Sequence, residues 1–103
     1  MKITFVARVT VKPECESEFM ACCRALEEHV QANEPDTLIY TFFRLREPGQ
    51  FAVLESFRNE AAQQHHMSSP VLAEYSPKLA ACVEGTWVRE YLDPLESSGI
   101  QTR

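Results

Sequence analysis

The sequence has little glycine and no long apolar run, and these absences narrow the class of protein. Only 3 of its 103 residues are glycine and 6 are proline, which excludes collagen-like and low-complexity chains. No stretch approaches the roughly 18 uninterrupted apolar residues that a membrane-spanning helix needs. The first eight residues alternate between polar and apolar types and lack the apolar segment of a signal peptide. We therefore expect a cytoplasmic protein with no membrane partner.

Positive charge is also scarce. The chain has 10 Lys and Arg residues against 15 Asp and Glu, which gives a net charge of -5. Because nucleic-acid recognition requires a clustered basic face, we expect no nucleic-acid partner. The hydrophobic share of 45% is too high for a disordered chain, and 103 residues are enough for one compact domain.

The cysteines and histidines form no recognisable metal site. Cys22 and Cys23 are neighbours, and no pair of cysteines has the C-x-x-C spacing of structural zinc sites. His65 and His66 are adjacent, so on a helix their side chains diverge by about 100° and cannot easily share one ion. A glycine-rich phosphate loop is absent as well. The sequence predicts free thiols and neither a bound metal nor a cofactor.

Hydropathy periodicity predicts an α+β domain. Alternating patterns predict strands over 2–11, 37–46, 51–58 and 86–92. A helical stripe predicts a helix from Glu14 to about Ala32, and Asn59 and Pro70 are typical starts of two further helical segments. The order β-α-β-β-α-β is the ferredoxin-like plan with an antiparallel sheet. We assign residues 1–93 to this domain and residues 94–103 to a polar C-terminal tail.

Both faces of the predicted sheet are rich in apolar residues. Ile39, Phe43 and Leu54 fall on the face opposite to the one that packs against the helices. An antiparallel sheet with one solvated face would alternate between apolar and polar positions instead. Because the chain has no further element to cover this second face, we expect a homodimer that packs sheet against sheet.

Glu55 interrupts the apolar set on one face of the third strand. A carboxylate in such a place is costly unless it is paired or hydrogen-bonded. If the hairpin closes symmetrically about residues 47–50, Phe42 lies opposite Glu55 and Arg44 lies diagonal to it. Two interpretations stay open: an internal salt bridge with Arg44 that fixes the sheet, or a carboxylate tuned by burial to move a proton.

Three segments carry a set of motifs in a fixed order. Residues 34–40 read EPDTLIY, residues 51–57 read FAVLESF, and Asn59, Ala62 and His66 follow before Ser69-Pro70. This set resembles the antibiotic biosynthesis monooxygenase (ABM) domain family, whose members have an E-P-G-x-x-x-Y turn, a strand that ends in E-x-W, and a helix with this Asn, Ala and His spacing. The resemblance covers about residues 2–92 and implies a dimeric α+β barrel.

The resemblance also implies a function. Many members are cofactor-independent monooxygenases, so we expect an oxidoreductase that acts on a small aromatic, phenolic or quinol-type substrate in a cavity between sheet and helices. The family spacing places His66 near the end of its helix, at the rim of the same cavity as Glu55. We assign His66 as base or proton shuttle and Glu55 as its orienter or as a second acid/base group. The expected substrate-pocket residues are Tyr40, Phe42, Arg44, Phe57 and Tyr75, with Arg44 or Arg8 as a site for an anion.

Departures from the family pattern keep other functions open. Phe57, Val53 and Gln63 stand where the polyketide-oxygenating members have Trp, Asn and Tyr, so that site does not carry over. One alternative is an isomerase or sugar-phosphate-processing enzyme of the same fold, which would need cationic groups at the pocket. Another is a non-catalytic dimeric module that binds a hydrophobic small molecule. A titration with a flat aromatic ligand, followed with and without O₂ uptake, distinguishes the monooxygenase from the non-catalytic binding module.

Overall fold

The computed structural model describes residues 1–95, which form a four-stranded antiparallel sheet with helices on one face. The strands are hydrogen-bonded in the order β2-β3-β1-β4. This arrangement confirms the predicted α+β class and ferredoxin-like order; residues 96–103 of the predicted tail lie outside the described part. The elements are β1 (Ile3–Val11), a 3₁₀ turn (Pro13–Cys15), α1 (Glu16–Asn33), β2 (Thr37–Arg44), β3 (Gln50–Phe57), α2 (Glu60–Met67), α3 (Pro70–Cys82) and β4 (Val83–Tyr91).

Local signals explain the helix boundaries. The Asn59 side chain caps α2 by accepting a hydrogen bond from the Ala62 N–H at 2.9 Å. Ser69 caps α3 in the same way, and Pro70 occupies the first turn, where its missing N–H is harmless. The start of α1 differs from the prediction, because Pro13 begins a 3₁₀ turn and the α-helix starts only at Glu16.

The last strand begins earlier than predicted. β4 starts at Val83, so Gly85 lies inside the strand and does not precede it. Gly85 has a φ of +76°, and the pairing of β1 with β4 shifts register at this level, between Arg8 and Thr10. A glycine is suited to such an irregularity because it adopts positive φ without steric cost.

The core lies between the helices and one face of the sheet. Phe19 and Leu26 of α1 are fully buried against one end of this face, together with Val9, Val11 and Phe51. Under α2, a second cluster is formed by buried residues of β1, β3 and the helix itself, namely Phe5, Ala7, Val53, Phe57 and Ala62. Burial of each large side chain contributes about 1.5–3 kcal/mol, so these contacts hold α1 and α2 firmly over the sheet.

The opposite face of the sheet has no cover among the described residues. Ile39, Phe43 and Val88 are 40%, 48% and 60% exposed, although all three are apolar. Pairing places Ile39 opposite Ser56 and Phe43 opposite Ala52, on the face that points away from the helices. At the free edge of β2, the Phe42 N–H donates a hydrogen bond of 2.7 Å to Oε2 of Glu27.

The hairpin of β2 and β3 closes in a different register from the predicted one. Tyr40 lies opposite Glu55, and Arg44 lies opposite Phe51. The loop closes where the Leu45 N–H donates to the Gln50 carbonyl, so the turn lies earlier in the chain than expected. Because of this displacement, the interpretation of Glu55 as the partner of an internal salt bridge with Arg44 is wrong.

Candidate active site

A cavity of about 200 Å³ lies between the sheet and helices α2 and α3. All four strands contribute to its lining, whereas α1 does not. The lining is mainly apolar and aromatic, with a few polar groups that converge on it; it consists of Ala7, Tyr40, Phe42, Val53, Glu55, His66, Met67, Leu72, Ser76, Leu79, Trp87 and Arg89. Such a combination is typical of small-molecule sites.

His66 is held in the wall of this cavity by α2. It follows the buried Ala62 by one helical turn and is only 1% exposed, so it is a buried group and not a rim residue as predicted. Its ring packs against Tyr40 and Phe57, with ring centroids 4.9 and 5.4 Å apart. These contacts fix the orientation of the imidazole.

The side chain of Glu34 contacts Nδ1 of His66. Glu34 follows directly after α1 and caps it, since its backbone N–H donates to the Val30 carbonyl. Its side chain is buried, and Oε1 lies 2.9 Å from Nδ1 of His66. The Thr37 hydroxyl donates to the same oxygen at 2.8 Å. Because a carboxylate oxygen accepts hydrogen bonds, this contact suits the imidazole tautomer that carries its proton on Nδ1 and leaves Nε2 free to accept.

Glu55 faces the other nitrogen of the ring. Its Oε1 lies 3.8 Å from Nε2 of His66, is buried and has no hydrogen-bond partner. Burial raises the pKa of Glu55 from 4.5 to about 7, while the Arg89 cation opposes this shift and the Glu34 charge adds to it. Glu55 therefore gains and loses a proton near neutral pH, within a short distance of an imidazole acceptor.

Arg89 brings positive charge to the cavity. It lies opposite Ala7 on β4, and its guanidinium stacks over the Phe5 ring at 4.4 Å from the centroid. Within residues 1–95 it is the one Lys or Arg in the lining. The expected anion sites lie elsewhere: Arg44 contacts Met20, and Arg8 pairs with Glu90.

Sequence comparison places this chain in a known family. The antibiotic biosynthesis monooxygenase family matches residues 2–78 of the chain. The chain belongs to this family. The ABM protein is 33% identical to the "Putative monooxygenase YcnE" of Bacillus subtilis (strain 168) over 64 residues, which cover 62% of this chain and 67% of YcnE.

Solved structures agree with this membership. A crystal structure named as a "putative antibiotic biosynthesis monooxygenase" from Caulobacter crescentus CB15 is 32% identical, with a TM-score of 0.86, and the match covers 92% of this chain and 91% of that one. SnoaB from Streptomyces nogalater, described as a cofactor-independent oxygenase, shares the fold at 18% identity and a TM-score of 0.77, with 93% and 95% of the two chains covered. The architecture of the ABM protein is therefore that of its family.

The structure brings together only some of the residues predicted for the site. Tyr40 and Phe42 line the cavity with Glu55 and His66, and Phe57 lies behind the His66 ring. Tyr75 does not reach the lining; it packs at the α1 end of the core, with the Lys78 ammonium 5.0 Å from its ring centroid. The catalytic roles of Glu55 and His66 stay predictions.

Sequence reasoning missed Glu34 and Arg89 as site residues. Glu34 belongs to the quoted turn motif, but its position after a helix is typical of an exposed residue. One signal could have revealed it. The turn motif that contains Glu34 and the helix motif that contains His66 occur together in the same family pattern, which suggests that the two residues act together. Arg89 lies in a strand whose irregular pairing hides the direction of its side chains.

The cysteines stay outside this chemistry. All four are free thiols, and burial raises the pKa of Cys23 to about 12. At neutral pH such a thiol is protonated and a poor nucleophile.

In the described part of the chain, no group of three His, Cys, Asp or Glu side chains is arranged to hold a metal ion. None of the helices described is long and apolar enough to cross a membrane.

Proposed function

We propose that this ABM protein is a cofactor-independent monooxygenase of small, electron-rich aromatic compounds. The observation that carries the proposal is the buried pair of His66 and Glu55 in an aromatic-lined cavity, with Nε2 and Oε1 3.8 Å apart. Deprotonation of a phenol or an activated methylene at neutral pH requires a base whose pKa lies near that pH. SnoaB is an example of a cofactor-independent oxygenase on this architecture.

The reaction uses the substrate as its own reductant. Glu55, assisted by His66, removes a proton from an activated methylene next to a phenolic ring. The resulting carbanion gives electrons to O₂, and a C–O bond forms to a peroxide. Loss of water from the peroxide then breaks the O–O bond and leaves a carbonyl, so that CH₂ and O₂ become C=O and H₂O. Protons and electrons balance without a further reductant.

The remaining lining residues fit this chemistry. Trp87, Tyr40 and Phe42 offer flat surfaces for an aromatic ring, and Arg89 offers a cation for the phenolate that develops on deprotonation. The apolar walls exclude water, which strengthens both interactions. A sugar phosphate would require more positive charge than Arg89 alone supplies, so the aromatic substrate is favoured.

We also propose that the protein acts as a homodimer through the uncovered sheet face. The apolar side chains of Ile39 and Phe43 on β2 and of Val88 on β4 are exposed on that face, so the apolar surface reaches both edge strands of the sheet. A second copy of the same face covers them by isologous contact, which is the commonest form of self-association. The helix-side cavity stays open in this arrangement, because it lies on the other face of the sheet.

Oxygen uptake tests the enzymatic proposal. The substrate probe is 1,8-dihydroxyanthrone, which has an activated methylene, and the reaction is followed with an oxygen electrode against the rate without protein. We expect acceleration by the native protein and a loss of about 10²–10⁴-fold for Glu55→Gln and for His66→Ala. Glu60→Gln, the same change at an exposed site on α2, is the control.

Two results contradict the proposal. If the probe quenches Trp87 fluorescence but O₂ uptake stays at the background rate, the protein is a binding module for aromatic molecules. If Glu55→Gln and His66→Ala keep native rates, the cavity is not the place where the proton is removed.

A further inference from the structure

A second cavity of about 340 Å³ lies beside the first turns of α2, next to the connection between α1 and β2. Glu34 and Thr37 line it, together with the exposed residues Asp36 and His65. His66 and Glu55 line only the substrate cavity described above. The contact between Glu34 and His66 therefore joins the walls of two separate cavities.

A continuous series of polar contacts runs from one cavity to the other. The Thr37 hydroxyl donates to Oε1 of Glu34 at 2.8 Å, and this oxygen lies 2.9 Å from Nδ1 of His66. On the far side of the ring, Nε2 lies 3.8 Å from Oε1 of Glu55, so the two atoms would have to approach by about 1 Å to form a hydrogen bond. The imidazole is thus placed between two carboxyl groups, one at each nitrogen.

Both carboxyl groups have an oxygen without a hydrogen-bond partner. Within the described residues, the buried side-chain atoms in this state are Oε2 of Glu34 and Oε1 of Glu55. An unpaired buried acceptor costs about 1–3 kcal/mol, so native proteins rarely keep one without a reason. A free acceptor is, however, what a group needs if it is to receive a proton. Oε1 of Glu55 faces Nε2 of the imidazole directly, whereas Oε2 of Glu34 belongs to the carboxyl group that contacts Nδ1 through its other oxygen.

We propose that Glu34 and His66 relay protons between Glu55 in the substrate cavity and solvent in the second cavity, with Thr37 at the outer end. This inference rests on the proposed function, because the proton is taken from the substrate. Nε2 of His66 accepts the proton from Glu55 while Nδ1 passes its own proton to Glu34. When the peroxide needs a proton for the loss of water, the transfers run in reverse and restore the original tautomer. Glu34 acts through His66 and does not touch the substrate.

The test follows proton transfer without oxygen. Under nitrogen in D₂O, the native protein should catalyse exchange of the methylene hydrogens of 1,8-dihydroxyanthrone, measured by ¹H NMR. Glu34→Gln keeps the size of the side chain but cannot carry a proton, so we expect exchange to fall about 10²-fold. Thr37→Val should reduce it by a smaller factor, and Glu60→Gln on the exposed side of α2 is the control that should leave it unchanged.

Chemical rescue separates a relay from a structural contact. Glu34→Ala leaves space for a small carboxylate, so added formate should restore exchange in proportion to its occupancy. Formate should not rescue Glu34→Gln, whose amide fills the same space. Native exchange in Glu34→Gln, or a folded Glu34→Ala variant that formate does not rescue, would overturn the relay. If Glu34→Ala does not fold, the exchange rate of Glu34→Gln decides between the two: a fall supports the relay, and a native rate overturns it.

Failure of the relay and failure of the proposed function give different results. If the native protein exchanges the methylene hydrogens but consumes no O₂, the monooxygenase proposal fails, and the exchange rate of Glu34→Gln decides the relay as before. If it does neither, ¹⁵N spectra of His66 in the ligand-free protein decide. A proton on Nδ1 supports the relay, and a proton on Nε2 overturns it, because Glu34 then does not hold the imidazole in the required tautomer.

Discussion

Replacing Glu55 with glutamine should stabilise the folded protein above pH 7 and leave its stability nearly unchanged near pH 4. Burial raises the pKa of Glu55 from 4.5 to about 7, so between these values the folded chain holds a proton that the unfolded chain has released. The stability contributed by this proton is complete below the unfolded pKa and is lost as the pH rises through the folded one. At about 1.4 kcal/mol for each pH unit, the native protein loses about 3 kcal/mol over this window.

Urea unfolding of the native protein and of Glu55→Gln between pH 4 and pH 9 measures this loss. Both proteins are held at one concentration, because the stability of a dimer depends on concentration. The difference between the two free energies of unfolding isolates Glu55, since every other titrating group is common to both. Glu60→Gln supplies the matched control, because an exposed carboxyl should give a difference that changes little with pH.

Two results would refute this reasoning. If the difference between Glu55→Gln and the native protein is constant from pH 4 to pH 9, Glu55 does not titrate in the folded state within this range. If the native protein becomes more stable than the variant as the pH rises, Arg89 outweighs the desolvation of Glu55. In either case, an acid–base role for Glu55 near neutral pH loses its physical basis.

Two further substitutions test the surroundings of the cavity and the opposite face of the sheet. Arg89→Gln removes the cation that favours the charged form of Glu55, so its pKa should rise and the midpoint of the pH–rate profile of O₂ uptake should move upward; an unchanged or lower midpoint contradicts this. Leu54→Asp places a charge on the uncovered sheet face and should dissociate or unfold the proposed homodimer, because a buried unpaired carboxylate costs several kcal/mol. A well-folded native monomer in sedimentation velocity would rule out the homodimer.

The fold could be predicted because its main signals are local. Alternation of apolar residues identified the four strands, and the stripe that includes Phe19 and Leu26 identified the long helix. The same alternation placed Glu55 on the face that the helices cover. These patterns depend only on the geometry of a strand or a helix, and the core that forms satisfies them all.

The partners of Glu55 could not be predicted because they depend on register and on contacts far apart in the chain. A shift of two residues in the hairpin register replaced Phe42 with Tyr40 as the residue opposite Glu55 and moved Arg44 opposite Phe51, away from Glu55. Glu34 lies 32 residues from His66 in sequence, and only the packing of α2 beside the end of α1 buries the two together. Periodicity contains no information on either arrangement, since register and distant contacts are set by the turn and by tertiary packing.

The contact between Glu27 and the free edge of β2 limits how the protein can assemble. An exposed edge strand is a template for the addition of further strands, and natural proteins protect such edges against aggregation. Here the Glu27 carboxylate of α1 accepts a hydrogen bond from the Phe42 N–H, and an incoming strand would need this donor for its own pairing. A strand added at this edge would have to displace a charged group that is already hydrogen-bonded. The sheet is therefore closed to growth in its own plane at this position, while its broad apolar face stays available for another copy.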